Sequence, residues 1–170
     1  FNDIVVKAVA MAIRKHPGIN SSWAEDHIKL HTNVNIGVAV SLENGLVVPV
    51  IKNADQKSFS DISSDTSNFI LKSKENKLQP SDWEGNTFTI SNLGMFGIDD
   101  FTAIINPPDA CILAVGAIKE RPIVKDGKVI PANIMRLTLS CDHRLVDGVV
   151  GSKFLNTLKD MLESPLMMFC

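Results

Sequence analysis

An α+β sandwich, a mixed sheet covered by helices, is the fold class that this sequence predicts. Three observations carry it. Several segments alternate apolar and polar residues, or run continuously apolar over strand length. Three others repeat apolar residues at three- and four-residue spacing. The two kinds do not follow one another in regular βαβ order. At 170 residues the chain is long enough for one domain with a proper core. It shows no internal repeat, low-complexity tract or interdomain linker.

Taken in order, the first helix follows from Ile4, Val5, Ala8, Val9, Ala12 and Ile13, with Asn2 as its N-cap and His16-Pro17-Gly18 as its stop. Its pattern begins almost at residue 1, which predicts that the natural edge of the domain lies upstream. Asn33 to Ser41 alternates, with Val34, Ile36, Val38 and Val40 on one face, and Leu46 to Ile51 is nearly continuous apolar. Asn44-Gly45 between them signals a hairpin. After a polar loop, Ser60 is expected to cap a second helix running to about Lys77, with Ile62, Phe69 and Ile70 on its apolar side and Pro80 closing it.

Asn86 to Asn92 reads as a strand with Phe88 and Ile90 inward, running into the glycine-bounded turn Leu93-Gly94-Met95-Phe96-Gly97. Ala103 to Asn106 is short and apolar and is broken by Pro107-Pro108. Ala110 to Ile118 is continuously apolar, the mark of a buried central strand. Arg121 to Ile130 is a polar excursion, an exposed hairpin with Asp126-Gly127 at its tip. Arg136 to Asp142 alternates, and Val149, Val150, Phe154, Leu155, Leu158, Met161 and Leu162 make the third helix, ending near Ser164-Pro165. The apolar tail from Leu166 to Cys170 has no obvious core to enter.

Composition excludes some functions. With 45% hydrophobic and 21% charged residues the chain is an ordinary soluble globular sequence. A net charge of -2 gives no electrostatic pull toward nucleic acid or an anionic membrane. No apolar run reaches the roughly 18 residues of a membrane span. Asp3 and Lys7 interrupt Phe1 to Ile13, which therefore does not read as a secretory signal. Cys111, Cys141 and Cys170 are far apart in sequence and odd in number. They read as reduced thiols, the first two as small hydrophobes in strand-like segments.

The residues most able to do chemistry lie in Ser140-Cys141-Asp142-His143-Arg144-Leu145-Val146-Asp147-Gly148, where a strand pattern gives way to a helical one. A histidine there can be held rigid and still reach a cleft, and a neutral imidazole is available as a base near neutral pH. If residues 142–147 turned like a helix, Asp147 would share a face with His143. Four readings compete: a structural histidine beside an ion-pair cluster of Asp142, Arg144 and Asp147; a metal site; a serine hydrolase; and a base that deprotonates an incoming substrate nucleophile. Taken alone, the pair reads as structural. No third metal ligand is evident nearby, since His16, His27 and His31 lie far off in sequence, and no metal is expected. GxSxG is absent, so there is no nucleophile elbow. Ser91-Asn92 at the end of a predicted strand could present a hydroxyl to a developing oxyanion, or be an ordinary strand-to-turn pair. The stretch Glu43 to Val50 is a hairpin to which no chemistry is assigned.

His143-Arg144-Leu145-Val146-Asp147-Gly148 resembles the HRxxDG signature of the dihydrolipoamide acyltransferases, the core components of 2-oxo acid dehydrogenase complexes. It is also similar to the HxxxDG of chloramphenicol acetyltransferase. Gly45 to Val50, Ile90 to Gly94, and Ile105 to Pro108 followed by Ile112 to Gly116 also resemble family segments, in family order. The resemblance covers essentially the whole chain. Ser91 to Phe101 and Leu139 to Gly148 look most like the acetyl-transferring, pyruvate-type branch.

The resemblance implies a chloramphenicol acetyltransferase-like fold, assembling as homotrimers with the active site in a channel between subunits. Coenzyme A would enter one end as substrate. A lipoyl group on a separate domain would enter the other. On that model His143 is the thiol base, Ser91 of a neighbouring subunit donates to the oxyanion, and Asp147 is an acid or, as we favour, a structural support. Gly148 would allow tight packing at the helix start. Asn92, Met95 and Phe96 would line the channel, the apolar pair against the pantetheine arm.

Residues 1–170 are expected to be the acyltransferase catalytic domain, cut short at its N-terminus, with no lipoyl or subunit-binding domain. The tail from Leu166 resembles the apolar hook through which trimers join into a larger core with the other complex components. The family's compartments are the bacterial cytoplasm and the mitochondrial matrix. Two other readings stay open: an oligomeric scaffold with little activity, and an acetyltransferase acting on a small alcohol. The Pro107-Pro108 segment and the apolar tail favour the complex-core family over the latter.

Overall fold

The computed structural model describes residues 1–42, 45–75 and 77–169. In chain order the elements are α1 (Asn2–Lys15), β1 (Ser21–Ala24), β2 (His27–Leu30), β3 (Ile36–Val38), β4 (Val40–Leu42), β5 (Gly45–Val47), β6 (Val50–Ile51), α2 (Phe59–Lys74), α3 (Pro80–Trp83), β7 (Phe88–Asn92), β8 (Cys111–Val115), β9 (Lys119–Lys125), β10 (Lys128–Ile134), β11 (Leu137–Cys141) and α4 (Gly148–Glu163). A five-stranded mixed sheet in the order β11-β8-β7-β3-β6 forms the centre. Its three inner strands are parallel, and β11 and β6 run antiparallel at the edges. Three two-stranded pairs, β1-β2, β4-β5 and β9-β10, lie outside it.

One sheet face is apolar because alternate residues of each strand point the same way. Phe88 and Ile90 of β7, and Leu113 and Val115 of β8, meet Val5, Val9 and Ile13 of α1 and Phe154, Leu158 and Met161 of α4. Phe88 and Phe154 pack with ring centroids 5.7 Å apart. The opposite face carries Thr89, Ser91, Thr138 and Ser140, and the segment after residue 97 satisfies it. Thr138 Oγ1 donates to Asp100 Oδ1 at 2.7 Å, Ser140 Oγ to the Ala103 carbonyl at 2.7 Å, and Asn106 Nδ2 to Thr89 Oγ1 at 3.3 Å.

The mixed sheet and its helical cover are as expected, and several boundaries move. Asn2 is the first helical residue of α1 and Phe1 is its cap, without a side-chain bond. The cap of α2 is Ser58, not Ser60. Its hydroxyl accepts from Asp61 N at 3.1 Å while Asp61 Oδ2 accepts from Ser58 N at 3.1 Å, a reciprocal pair that fixes the start two residues earlier. The helix ends at Lys74, and Pro80 opens α3 rather than closing α2, because a first helical position needs no N–H.

The alternating run near Val34 to Ser41 is two strands, not one, since β3 pairs with β7 and β6 while β4 leaves to pair with β5. The register of β4 against β5 puts Leu42 opposite Gly45; Asn44, half of the predicted turn, lies outside the described residues. Asp126 and Gly127 do form the β9-β10 turn, both at positive φ (52° and 74°). Ala103 to Asn106 has no regular structure, and β1-β2 was not anticipated. The apolar tail finds more core than its sequence suggests. Pro165 to Phe169 winds as a 3-10 turn, Met168 is buried, and Phe169 lies 5.7 Å from Phe59.

Under the polar face, Asp109 is 3% exposed. Its Oδ2 accepts from Thr89 Oγ1 at 2.6 Å and Asn86 Nδ2 at 2.7 Å, and its Oδ1 has no partner among the described residues. Burial pushes this carboxyl up to about 6 against the two hydrogen bonds. The folded state therefore holds a proton that the unfolded chain has already lost. The associated stability is full below the unfolded value near 3.8 and is lost as pH rises through about 6. Asp109→Asn should abolish this slope and raise stability at pH 7.5 by on the order of 1–3 kcal/mol. Urea unfolding at pH 5 and pH 7.5 checks it, and an unchanged pH slope in the variant would refute it.

Candidate active site

The segment after β11 is a turn pinned at both ends. Asp142 N donates to the Ala110 carbonyl at 2.8 Å, extending the β8-β11 ladder by one step. The Asp142 carbonyl then accepts from Leu145 N at 2.9 Å and Val146 N at 3.0 Å. The Asp142 carboxylate takes Arg144 in a two-point grip, Nε to Oδ1 at 3.0 Å and Nη2 to Oδ2 at 2.6 Å. Those hydrogen bonds hold the Asp142 carboxyl below the usual carboxylate range. The guanidinium also lies over Trp23, 4.7 Å from the ring centroid, so the β1-β2 hairpin helps fix the turn.

At the far end, Val146 is buried in the core and Asp147 caps α4, its Oδ1 accepting from Val150 N at 2.8 Å. His143 stands between these anchors, exposed and without a hydrogen bond to any described residue. The expected ion-pair cluster is thus a pair, Asp142 with Arg144, and Asp147 is a helix cap. Residues 142–146 make one turn closed by the Asp142 carbonyl, but α4 starts only at Gly148 with Asp147 as its cap, so His143 and Asp147 do not lie on one continuous helix face. Gly148 does not serve tight packing, since a Cβ there would meet nothing within 4 Å.

Ser91 is the fourth residue of β7, on the face turned from the helices, opposite Ala114 of β8. Asn92 Oδ1 accepts from Gly94 N at 2.8 Å and its Nδ2 donates to Asn2 Oδ1 at 3.3 Å, so this side chain shapes the turn and ties it to α1. Gly94 is required there, because a Cβ would come within 2.9 Å of the Gly116 carbonyl. Ser91, Asn92, Met95 and Phe96 all line one open cavity of about 510 Å3. Met95 and Phe96 are 85% and 60% exposed, an uncommon state for such side chains.

The cavity's other walls were not singled out from sequence. Leu46 and Pro49 come from a stretch given no chemistry, and Phe69 and Ile70 come from α2. Ile62 enters the core and Phe69 packs against it while also lining the cavity, whereas Ile70 turns to the cavity alone. Adjacent helical residues point about 100° apart, so two neighbouring bulky apolar residues were the available signal.

Within one chain His143 and Ser91 do not meet. Ser91 is level with Ala114, and Ala114 with Thr138, whereas β11 carries on to Cys141 before His143. Three strand steps, about 10 Å, separate the level of Ser91 from the end of β11 at Cys141, the turn carries His143 beyond that, and two strand spacings add about 10 Å sideways. His143 does not line the cavity that holds Ser91. Among the described residues no three His, Cys, Asp or Glu side chains gather as a metal site, and no helix is long and apolar enough to cross a membrane.

Known proteins align with nearly all of the chain. The family model for 2-oxoacid dehydrogenases acyltransferase (catalytic domain) matches residues 1–170. The dihydrolipoyllysine-residue acetyltransferase component of pyruvate dehydrogenase complex from Rickettsia felis is 53% identical over 167 residues, 98% of this chain and 40% of that protein. The mitochondrial component 3 from Arabidopsis thaliana is 51% identical over 170 residues, 98% of this chain and 32% of that protein. The chain thus spans about two fifths or less of the curated relatives it matches.

Among solved structures, the cubic core of the pyruvate dehydrogenase multienzyme complex superposes with TM-score 0.95 at 35% identity, covering 99% of this chain and 70% of that one. Dihydrolipoamide acetyltransferase from Azotobacter vinelandii, studied for the catalytic roles of a serine, a histidine and an asparagine, gives TM-score 0.95 at 34% identity with the same coverage. Chloramphenicol acetyltransferase, at 16% identity and TM-score 0.56 over 95% of this chain and 73% of that one, shares the fold. A family model matched end to end, and relatives half identical across nearly all of the sequence, place the chain in the 2-oxoacid dehydrogenase acyltransferase family, as a catalytic domain with the chloramphenicol acetyltransferase-like fold.

Proposed function

We propose that this domain is a dihydrolipoyllysine-residue acetyltransferase, moving an acetyl group between a dihydrolipoamide arm and coenzyme A, in a site built by two copies of the chain. The observation that carries the reading is the separation of His143 from Ser91 at opposite ends of one sheet. Each is presented outward by a rigid element, so a second copy can bring them together. The Azotobacter protein supports the assignment. Its named serine precedes its named histidine by the same interval that separates Ser91 from His143, and its named asparagine follows by four residues, where Asp147 stands here.

The chemistry follows from the side chains. Neutral His143 removes the proton from the coenzyme A thiol. A positioned imidazole can take a thiol proton in this way. The thiolate attacks the carbonyl carbon of the acetyl thioester on dihydrolipoamide. Ser91 of the neighbouring copy donates its O–H to the oxyanion, a contribution of about 2.7–4 kcal/mol when aimed correctly. The intermediate collapses, the dihydrolipoamide sulfur leaves, and protonated His143 returns the proton to it. No covalent enzyme intermediate forms. Met95 and Phe96 offer apolar surface to the slender arm of either thiol carrier.

Asp147, as the cap of α4, is a positioning residue rather than an acid. The lipoyl group is carried by a separate domain. The copies assemble as homotrimers, and trimers join into a larger core with the other complex components, in bacterial cytoplasm or mitochondrial matrix. Leu166 and Phe169, 79% and 71% exposed, give that assembly apolar surface.

His143→Ala should lower kcat by about 10²–10⁴ and Ser91→Ala by about 10²–10³, each leaving the assembly intact. Co-assembling the two variants in equal amounts should restore about a quarter of native activity, because random pairing reunites an intact His143 with an intact Ser91 at that frequency. A mixture no more active than its components would rule out the shared site. Asp147→Asn keeps a good cap and should hold kcat within a few-fold, whereas Asp147→Ala should cost about 1 kcal/mol of stability. Equal loss of kcat in both would make Asp147 an acid after all.

A further inference from the structure

Two thiols that the proposed transfer does not use face each other across β8 and β11. Cys111 opens β8, Cys141 closes β11, and the register sets them directly opposite. The Asp142 N to Ala110 O bond lies one step outside the pair, which marks it as a non-hydrogen-bonded position of the antiparallel ladder. Cα atoms at such positions are about 4.5 Å apart, inside the roughly 4.4–6.8 Å that a disulfide spans. Both residues are free thiols, and Cys111 Sγ donates to Cys141 Sγ at 3.5 Å. Opposite them, α4 presents Gly151, where even a Cβ would come no nearer than 3.7 Å to Cys141 Sγ.

From this geometry we infer that Cys111 and Cys141 are a peroxide-reactive pair that closes into an intrachain disulfide tying β8 to β11. The partners are unequal in a way that orders the reaction. Cys141 is partly exposed, and the hydrogen bond from Cys111 favours its thiolate, lowering its pKa. That same bond, together with burial, pushes Cys111 up. Cys141 is therefore the attacking sulfur and Cys111 the resolving one.

The Cys141 thiolate attacks one oxygen of the peroxide and the O–O bond breaks. Cys141 becomes a sulfenic acid, and the departing hydroxide takes a proton to leave as water. Cys111 sulfur then attacks the Cys141 sulfur, the S–O bond breaks, and the Cys111 proton leaves with the hydroxyl as a second water. In sum two thiols give up two electrons and one peroxide becomes two waters. The inference stands independently of the role of His143, two residues beyond Cys141.

Full-length protein treated with hydrogen peroxide, alkylated, digested and weighed tests it. The Cys111 and Cys141 peptides should appear joined, about 2 Da lighter than their sum, and separate again with a thiol reductant. Cys170→Ser should not change this. Cys111→Ser should leave Cys141 as a sulfenic acid that a cyclic 1,3-diketone traps. Cys141→Ser should slow oxidation of Cys111 by at least roughly tenfold. Native Cys141 trapped as sulfenic or sulfinic acid with Cys111 still free would overturn the inference. So would a cross-link to Cys170, or no oxidation while free cysteine in the same solution is consumed.

Discussion

β11 pairs with β8 over five residues, from Leu137 opposite Val115 to Cys141 opposite Cys111, and that register decides which end of the sheet each functional side chain reaches. β8 is parallel to β7, so the Ser91 end of β7 and the Val115 end of β8 coincide. β11 runs the other way and delivers His143 to the far end. A slip of one residue would turn Leu137 and Leu139 from α4 and expose Thr138 and Ser140 to the core, so burial itself defends the register. The placement of the chemistry is therefore a by-product of packing: the apolar face fixes the pairing, and the pairing fixes where the turn emerges.

The turn then depends on two carboxylates with different tasks. Asp142 closes it from the strand side, gripping Arg144 and accepting its N–H at 3.1 Å. Asp147 closes it from the helix side by satisfying an N–H that α4 would otherwise leave orphaned. Val146 between them is buried, so the turn cannot lift away without opening the core. His143 is held by its neighbours' bonds rather than by its own. As the proposed thiol base, it would have no described residue competing with substrate for its ring.

Much of this was legible in the sequence, and the failures have physical reasons. The buried strand at Cys111, the helix at Phe154 and the turn at Asp126-Gly127 announce themselves through burial and backbone preference, which are local properties. The α2 cap is ambiguous in sequence because Ser58 and Ser60 are the same residue type, and only the reach of Asp61 selects Ser58. β1 and β2 give no local strand signal, because Ser21 to Ala24 and His27 to Leu30 carry little β-branched character and the pairing of Trp23 with Ile28 is a contact no local pattern shows. His143, Ser91, Asn92, Met95 and Phe96 could be named from motifs, but their distribution over two ends of a sheet depends on strand direction. The sequence order of strands does not reveal that direction.

The shared site proposed above would place a demand on the stiffness of both halves. A site completed inside one chain can absorb a small error in one element through its neighbours. A site shared by two copies inherits every error from both. Ser91 lies on a central strand hydrogen-bonded on both sides, and Gly94 locks the following turn against the Gly116 carbonyl. Misplacement by about 1 Å can lower a rate by about 100-fold, so on the proposed mechanism this rigidity would bear directly on turnover. Beside Ser91, Met95 and Phe96 stand exposed, and the proposed function assigns their apolar surface to the arm of a thiol carrier. Backbone pairing thus fixes the strand that carries Ser91 and the turn that carries His143, while the apolar side chains beside Ser91 are left exposed.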